Sequence, residues 1–120
     1  MLGVGVDDGS DDVAYMVRKI SGLRIFYDTD ERMRLSLKDV DGAVLVVPQF
    51  TLYGDVRKGN RPAFSGAAPP ELGRSLYLAV INGLKDLGLP VSGGRFRAAM
   101  VVELVNDGPV TILLDSRKIF

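Results

Sequence analysis

Two short segments of this 120-residue chain carry groups able to act on a carbonyl compound. The first is Pro48-Gln49-Phe50-Thr51, where the apolar run Gly42 to Val47 gives way to polar side chains. Thr51 offers a hydroxyl and Gln49 an amide, and the backbone N–H groups of Phe50 and Thr51 can point into a cleft and stabilise a developing oxyanion. In isolation the same four residues read more simply as a strand end whose Thr continues the sheet. The second segment is Asn106-Asp107-Gly108-Pro109-Val110-Thr111. A Gly-Pro step in a turn can be cis, because the tertiary amide cuts the trans preference to about 0.5–1 kcal/mol. A cis bond would point the adjacent carbonyls nearly the same way, as a rigid pair of acceptors. Taken alone, Asn-Asp-Gly-Pro is ordinary turn vocabulary.

The rest of the composition narrows the chemistry. There is no Cys and no His, which excludes disulfides, thiolate sites, a Ser-His-Asp arrangement and the usual general base. Hydrolysis would have to run on hydroxyls, carboxylates, backbone amides or groups brought by the substrate. The formal net charge is zero, but residues 1 to 31 hold seven acids against three bases, which leaves twelve bases against eight acids beyond them. Arg57, Lys58 and Arg61 cluster around Gly59, and Arg95 and Arg97 flank Phe96. That is enough for local phosphate contacts, though on charge alone ordinary solvated loops explain it better. The longest apolar stretches are far shorter than the roughly 20 residues of a membrane helix. Met1 to Asp12 turns acidic and does not read as a secretory signal, so a cytosolic location is the default.

These segments need elements to hold them. Met1 to Val6 reads as a strand end running into the turn-rich Asp7-Asp8-Gly9-Ser10. Val13, Met16, Val17 and Ile20 recur at helical spacing, which predicts a helix over 11–21 with Ser10 or Asp11 as N-cap. Leu23 to Tyr27 and Met33 to Leu37 read as short strands, and Ala43 to Val47 as a strand buried on both faces. Gly54 to Pro70 is too rich in Gly and Pro for a regular element. Leu72, Leu76, Val80, Leu84 and Leu87 mark a second helix, with Pro69 and Pro70 at its entry and Gly88 with Pro90 at its exit. A turn at Ser92, Gly93 and Gly94 leads to strands Val101–Val105 and Val110–Leu114, joined as a closing hairpin. One domain over 1–120 is expected, of α+β class: a curved, antiparallel-dominated sheet or barrel with two packed helices.

Six blocks, in this order, closely resemble the D-aminoacyl-tRNA deacylase family. They are Ser21 to Phe26, Gly42 to Val47, Gln49 to Leu52, Lys58 to Phe64, Gly94-Arg95-Phe96 with Met100, and Leu104 to Thr111. The resemblance implies an α+β fold of that family, a homodimer, and hydrolysis of the ester joining a D-amino acid to tRNA, a chiral proofreading step in translation. It implies no cofactor and no metal. By that resemblance Gly108 and Pro109 form a cis pair that reaches into the partner's pocket, where its carbonyls recognise the α-amino group and leave no room for an L side chain. Gln49, Phe50 and Thr51 would serve at the scissile ester, with Asn106, Thr111, Met100 and Phe96 around the substrate and Arg57, Lys58 and Arg61 on the tRNA. The family is thought to use the terminal 2′-OH of tRNA rather than a protein base, which agrees with the lack of His and Cys. Rejection by backbone walls would also admit achiral glycine, making glycyl-tRNA a further substrate.

Three departures accompany the resemblance. Pro48 stands where most members have Ser and resembles a branch that edits mischarged L-alanine on tRNA. Arg34 and Arg97 stand where Asn and Gly are expected. The family's opening strands, with a Gln-Arg-Val stretch that braces the Gly-Pro loop, have no counterpart before Met1, so the fold is expected to be open on one edge. Two alternatives follow: a non-catalytic shortened homologue, and an L-alanine editing enzyme.

Overall fold

The computed structural model describes residues 1–120. Helix α1 spans Ser10–Gly22. It starts where Gly9 leaves an extended conformation, and the Asp12 carboxylate accepts a hydrogen bond from the Gly9 N–H at 2.8 Å. Neither Ser10 nor Asp11 is the N-cap; the negative charge of the first turn does that work from three residues inside. Its stripe of Val13, Met16, Val17 and Ile20 packs, half-buried, against the core.

Helix α2, Pro70–Asp86, is the centre of that core. Pro70 occupies a first-turn position, where a missing N–H costs nothing. Gly88 takes φ +81° beyond its end, the left-handed stop that a glycine allows. The buried face is Gly73, Tyr77, Val80, Ile81 and Leu84, so the stripe is rotated from the expected one. Tyr77 and Ile81 are inside, while Leu87 sits at the end of the helix and is half-exposed. At Gly83 a Cβ would come 2.7 Å from Val17 Cγ2, which shows that this glycine lets α1 and α2 approach.

The strands differ more from expectation. β1 (Arg24–Tyr27) and β2 (Met33–Ser36) pair antiparallel, with irregular register. β3 (Val44–Val46) pairs in parallel with β4, which is Val91–Gly93, the segment read from sequence as a turn. The chain passes from β3 through α2 to β4, the kind of long crossover that parallel strands require. β3 is not buried on both faces: Val46 is buried, while Leu45 faces outward. Met1 to Val6 forms isolated bridges only, Leu2 with Pro48 and Gly5 with Ala67.

The expected closing hairpin is absent, and the sheet does not close into a barrel. Residues 101–105 and 110–114 run without a strand ladder. A hairpin with no third strand or helix on its apolar face is marginal on its own, and here Val101 and Val105 are 89% and 93% exposed. The turn between them is closed instead by Asn106, whose Oδ1 accepts the Val110 N–H at 2.8 Å. The two sheets have two strands each, one antiparallel and one parallel, so the antiparallel-dominated sheet is corrected to an open α+β arrangement.

Candidate active site

β3 delivers the chain to a single turn of 3₁₀ helix, Phe50–Tyr53, rather than to a continuing strand. The start of this turn is fixed by its neighbours. Gln49 N–H donates to Leu2 O at 2.8 Å, and Leu2 N–H donates to Val47 O at 2.8 Å. Tyr77, whose ring is buried, donates its hydroxyl to Val46 O at 2.9 Å and accepts from Gly94 N–H at 2.9 Å. A Cβ on Gly93 would lie 2.6 Å from that hydroxyl, and one on Gly94 would meet Met100 Sδ at 3.0 Å and Pro48 Cδ at 3.1 Å. Close approach therefore leaves no ready room for a Cβ at Gly93 and little at Gly94, and Met100 and Pro48 both stand against Gly94 at the base of the turn.

A helical turn leaves its first amides without internal acceptors. Here Leu52 N–H reaches Gln49 O and Gly54 N–H reaches Thr51 O, while the Phe50 and Thr51 amides have no acceptor within the chain. The Gln49 side-chain amide donates to Thr51 Oγ1. A hydroxyl that accepts from an amide gains no base to take its own proton, so this pair orients Thr51 as a donor and does not activate it as a nucleophile. Phe50 is exposed and meets Phe64 edge-on, with ring centroids 5.0 Å apart. Phe64 was not singled out from sequence; its position in the Arg61-Pro62-Ala63-Phe64 run was the available signal.

The basic loop emerges beside this turn. A Cβ on Gly54 would touch Thr51 O at 3.1 Å and Phe64 Cε1 at 3.3 Å, and Asp55 and Ala63 exchange backbone hydrogen bonds across the loop neck. Within it Arg57 grips Asp55 through Nε at 2.9 Å and Nη2 at 2.7 Å. That guanidinium holds the Asp55 carboxyl well below its ordinary range, at about 2. Lys58 and Arg61 are exposed and make no ion pair.

Other expected residues lie apart. The Gly108–Pro109 bond is cis, at an exposed tip whose hydrogen bonds stay local: Asn106 Nδ2 also donates to Thr111 Oγ1 at 3.4 Å. No hydrogen bond joins residues 106–111 to Gln49, Phe50 or Thr51 of the same chain. Phe96 packs on α2, 3.2 Å from where a Gly73 Cβ would stand and 6.0 Å between centroids from Tyr77. It is half-buried, anchoring the segment that carries Met100. Arg34 pairs with Asp28 at 3.4 Å and with Asp30 at 3.8 Å across the β1–β2 turn. Arg97 takes φ +63° in an exposed turn. Two hollows of about 410 Å³ and 480 Å³ exist elsewhere, and neither is lined by residues 49–51.

Comparison with known proteins agrees with these blocks. Residues 1–115 match the family model described as D-Tyr-tRNA(Tyr) deacylase. Proteins named D-aminoacyl-tRNA deacylase from Syntrophobacter fumaroxidans and Anaeromyxobacter dehalogenans are 58% and 59% identical, over 99% and 100% of this chain and 80% of their own length. The solved structure of the c-Myc DNA Unwinding Element Binding Protein superposes with a TM-score of 0.87 at 38% identity, covering 95% of this chain and 78% of its own. A structure titled as a probable eukaryotic D-amino acid tRNA deacylase shares the fold, with a TM-score of 0.57 at 21% identity over 70% of this chain and 50% of its own. The chain belongs to the D-Tyr-tRNA(Tyr) deacylase family.

Proposed function

We propose that this protein hydrolyses the ester bond of D-aminoacyl-tRNA, releasing free D-amino acid and tRNA, and that it acts on glycyl-tRNA as well. The family membership carries the reaction. The observation that supports its mechanism is the pair of unpaired amides at Phe50 and Thr51. In this reading those amides receive the carbonyl oxygen as it gains charge during attack by water. Thr51, oriented by Gln49, donates a further hydrogen bond, and the terminal 2′-OH of the tRNA stands in for a protein base.

The enzyme works as a homodimer in this reading, with the partner subunit's Gly108 and Pro109 facing the α-amino group and closing the site against L side chains. Three features support that. For 13.0 kDa a folded monomer is expected to expose about 6,300 Å², whereas this chain exposes 8838 Å². Its radius of gyration is 15.3 Å against about 14 Å expected for 120 residues. The excess includes the unpaired segments on either side of Gly108, where Val101, Leu104, Val105 and Leu113 are exposed. Asn106 and Thr111 brace that arm, Met100 stands at the base of the turn, and Phe96, packed on α2, anchors the segment that carries Met100. Lys58 and Arg61 contact the tRNA backbone, with Arg57 held in reserve by Asp55. Residues 1–120 act as one domain. No helix is long and apolar enough to cross a membrane, and a cytoplasmic site of action fits a tRNA substrate. The L-alanine and non-catalytic alternatives are not favoured, because relatives 58% and 59% identical over nearly the whole chain carry the D-aminoacyl name.

Incubation with D-Tyr-tRNA and with L-Tyr-tRNA tests the reading. Release of the D-amino acid alone is expected; equal release from both, or from neither, would defeat it.

A further inference from the structure

We infer that Tyr53 is a positioning residue for the ester-cleaving turn, seating its ring on the backbone of Gly3, Gly5 and Gly66 and its hydroxyl beside Asp8. The inference rests on the function proposed above. Tyr53 is the last residue of the 3₁₀ turn that carries Phe50 and Thr51. A Cβ on Gly3 would lie 3.1 Å from its Cε2, one on Gly66 3.3 Å from its Cδ1, and one on Gly5 2.7 Å from its hydroxyl. None of these three glycines has a positive φ, so backbone conformation does not demand them. Room for one aromatic ring accounts for Gly5, where a Cβ could not fit without a shift, and makes the fit tight at Gly3 and Gly66.

The bed beneath the ring is itself tied together. Val6 N–H donates to Gly66 O at 3.1 Å and Ala68 N–H donates to Val4 O at 2.8 Å. At the hydroxyl end, Asp8 Oδ1 lies 3.2 Å from the same Gly5 Cβ position, and Asp8 Oδ2 accepts the Gly5 N–H at 2.7 Å. Arg117 Nη2 approaches Asp8 at 3.8 Å and Asp7 at 3.5 Å. Residues 115–117 follow directly on the segment that carries Gly108, so one corner joins the catalytic turn to the root of the Gly-Pro arm. Burial first, and the Asp8 charge next, raise the Tyr53 phenol above its ordinary value.

Gly5→Ala drives a methyl into the hydroxyl, and Tyr53→Phe removes the atom that it strikes. Single-turnover rates on D-Tyr-tRNA are measured for Gly5→Ala, Tyr53→Leu and the Gly5→Ala/Tyr53→Phe double variant, with KM and the thermal midpoint. A displacement of the turn by a fraction of an ångström predicts a fall in kcat on the order of tenfold or more for Gly5→Ala, with KM little changed. The double variant should regain most of that loss. A Gly5→Ala enzyme within about twofold of wild type, or a double variant no better than the single, overturns the inference. If Gly5→Ala does not fold, Tyr53→Leu decides: lower kcat at unchanged KM supports the role, and unchanged kcat removes it. A wild-type enzyme inert on D-Tyr-tRNA would defeat the proposed function instead.

Discussion

Replacing Gly108 by alanine disturbs the Gly-Pro arm while touching little else. Gly108 holds φ +137°, and a Cβ there would lie 2.8 Å from Val110 Cγ2 and 3.1 Å from Val110 N. The valine methyl can rotate away. The amide cannot, because it donates to Asn106 Oδ1 at 2.8 Å. Holding alanine in such a conformation costs about 1–3 kcal/mol, which the loop relieves by shifting. Residues 106–109 are exposed, and the side-chain hydrogen bonds of the tip run only from Asn106 to Val110 and Thr111, so the shift stays local and the thermal midpoint stays near wild type. A displacement of about 1 Å at a group facing the reacting ester costs on the order of 100-fold in kcat/KM, equivalent to about 2.7 kcal/mol of transition-state stabilisation. Initial rates of deacylation of D-Tyr-tRNA and L-Tyr-tRNA, labelled in the amino acid, read the effect. The D rate should fall by that order, and the gap between D and L should narrow. An enzyme with its D rate within about threefold of wild type and L still rejected would refute the role of the arm.

Thr51→Ala should lose less than the roughly 10²-fold typical of a missing oxyanion donor, because the Phe50 and Thr51 amides remain; a variant as inactive as Gly108→Ala would point to a hydroxyl nucleophile. Asp55→Asn frees Arg57 and should steepen the salt dependence of tRNA binding by about one unit of slope, while Lys58→Ala should flatten it by about one. The Asp55 carboxyl is depressed, so its pairing with Arg57 is complete above the ordinary value of 3.8 and is lost only as pH falls towards about 2; tRNA affinity should show no Asp55 titration between about pH 5 and 8. Tyr77→Phe removes the hydroxyl shared by Val46 O and Gly94 N–H, at a cost of about 1 kcal/mol, read as a thermal midpoint lower by several degrees. Val105→Lys places a charge on the exposed flank of the arm and should yield a monomer in sedimentation with loss of activity; an active dimer would contradict the proposed interface.

Both helices were legible because each carries its own evidence: the stripe from Val13 to Ile20, and the Pro69–Pro70 entry with the Gly88 exit. The rotation of the α2 stripe was not legible, since Tyr77 is a residue type that suits either surface or core until its hydroxyl finds Val46 O and Gly94 N–H. Strand β4 was hidden for a related reason. Gly93 and Gly94 look like a turn, yet they are small because Tyr77, Met100 and Pro48 stand against them. The apolar runs 101–105 and 110–114 flanking Asn106 to Pro109 suggested a hairpin, but run and turn alone do not supply the neighbour that a hairpin's apolar face needs, and within one chain the two segments form no ladder. The residues of the turn were found from their order with the other blocks, and no pattern in 49–51 alone announced a 3₁₀ turn with two free amides. Phe64 lay within a recognised block, but its contact with Phe50, like the seat of Tyr53 on Gly3, Gly5 and Gly66, came only from geometry.

In the proposed reaction, backbone donors and a hydroxyl of the substrate cleave the ester without an acid or base from the protein. Single-turnover hydrolysis of D-Tyr-tRNA ending in ordinary adenosine, set against the same tRNA ending in 2′-deoxyadenosine with the ester fixed on the 3′ oxygen, measures it directly. The enzyme should accelerate hydrolysis of the first substrate and lose nearly all acceleration on the second. Equal acceleration of both would contradict the account and require a base within the chain.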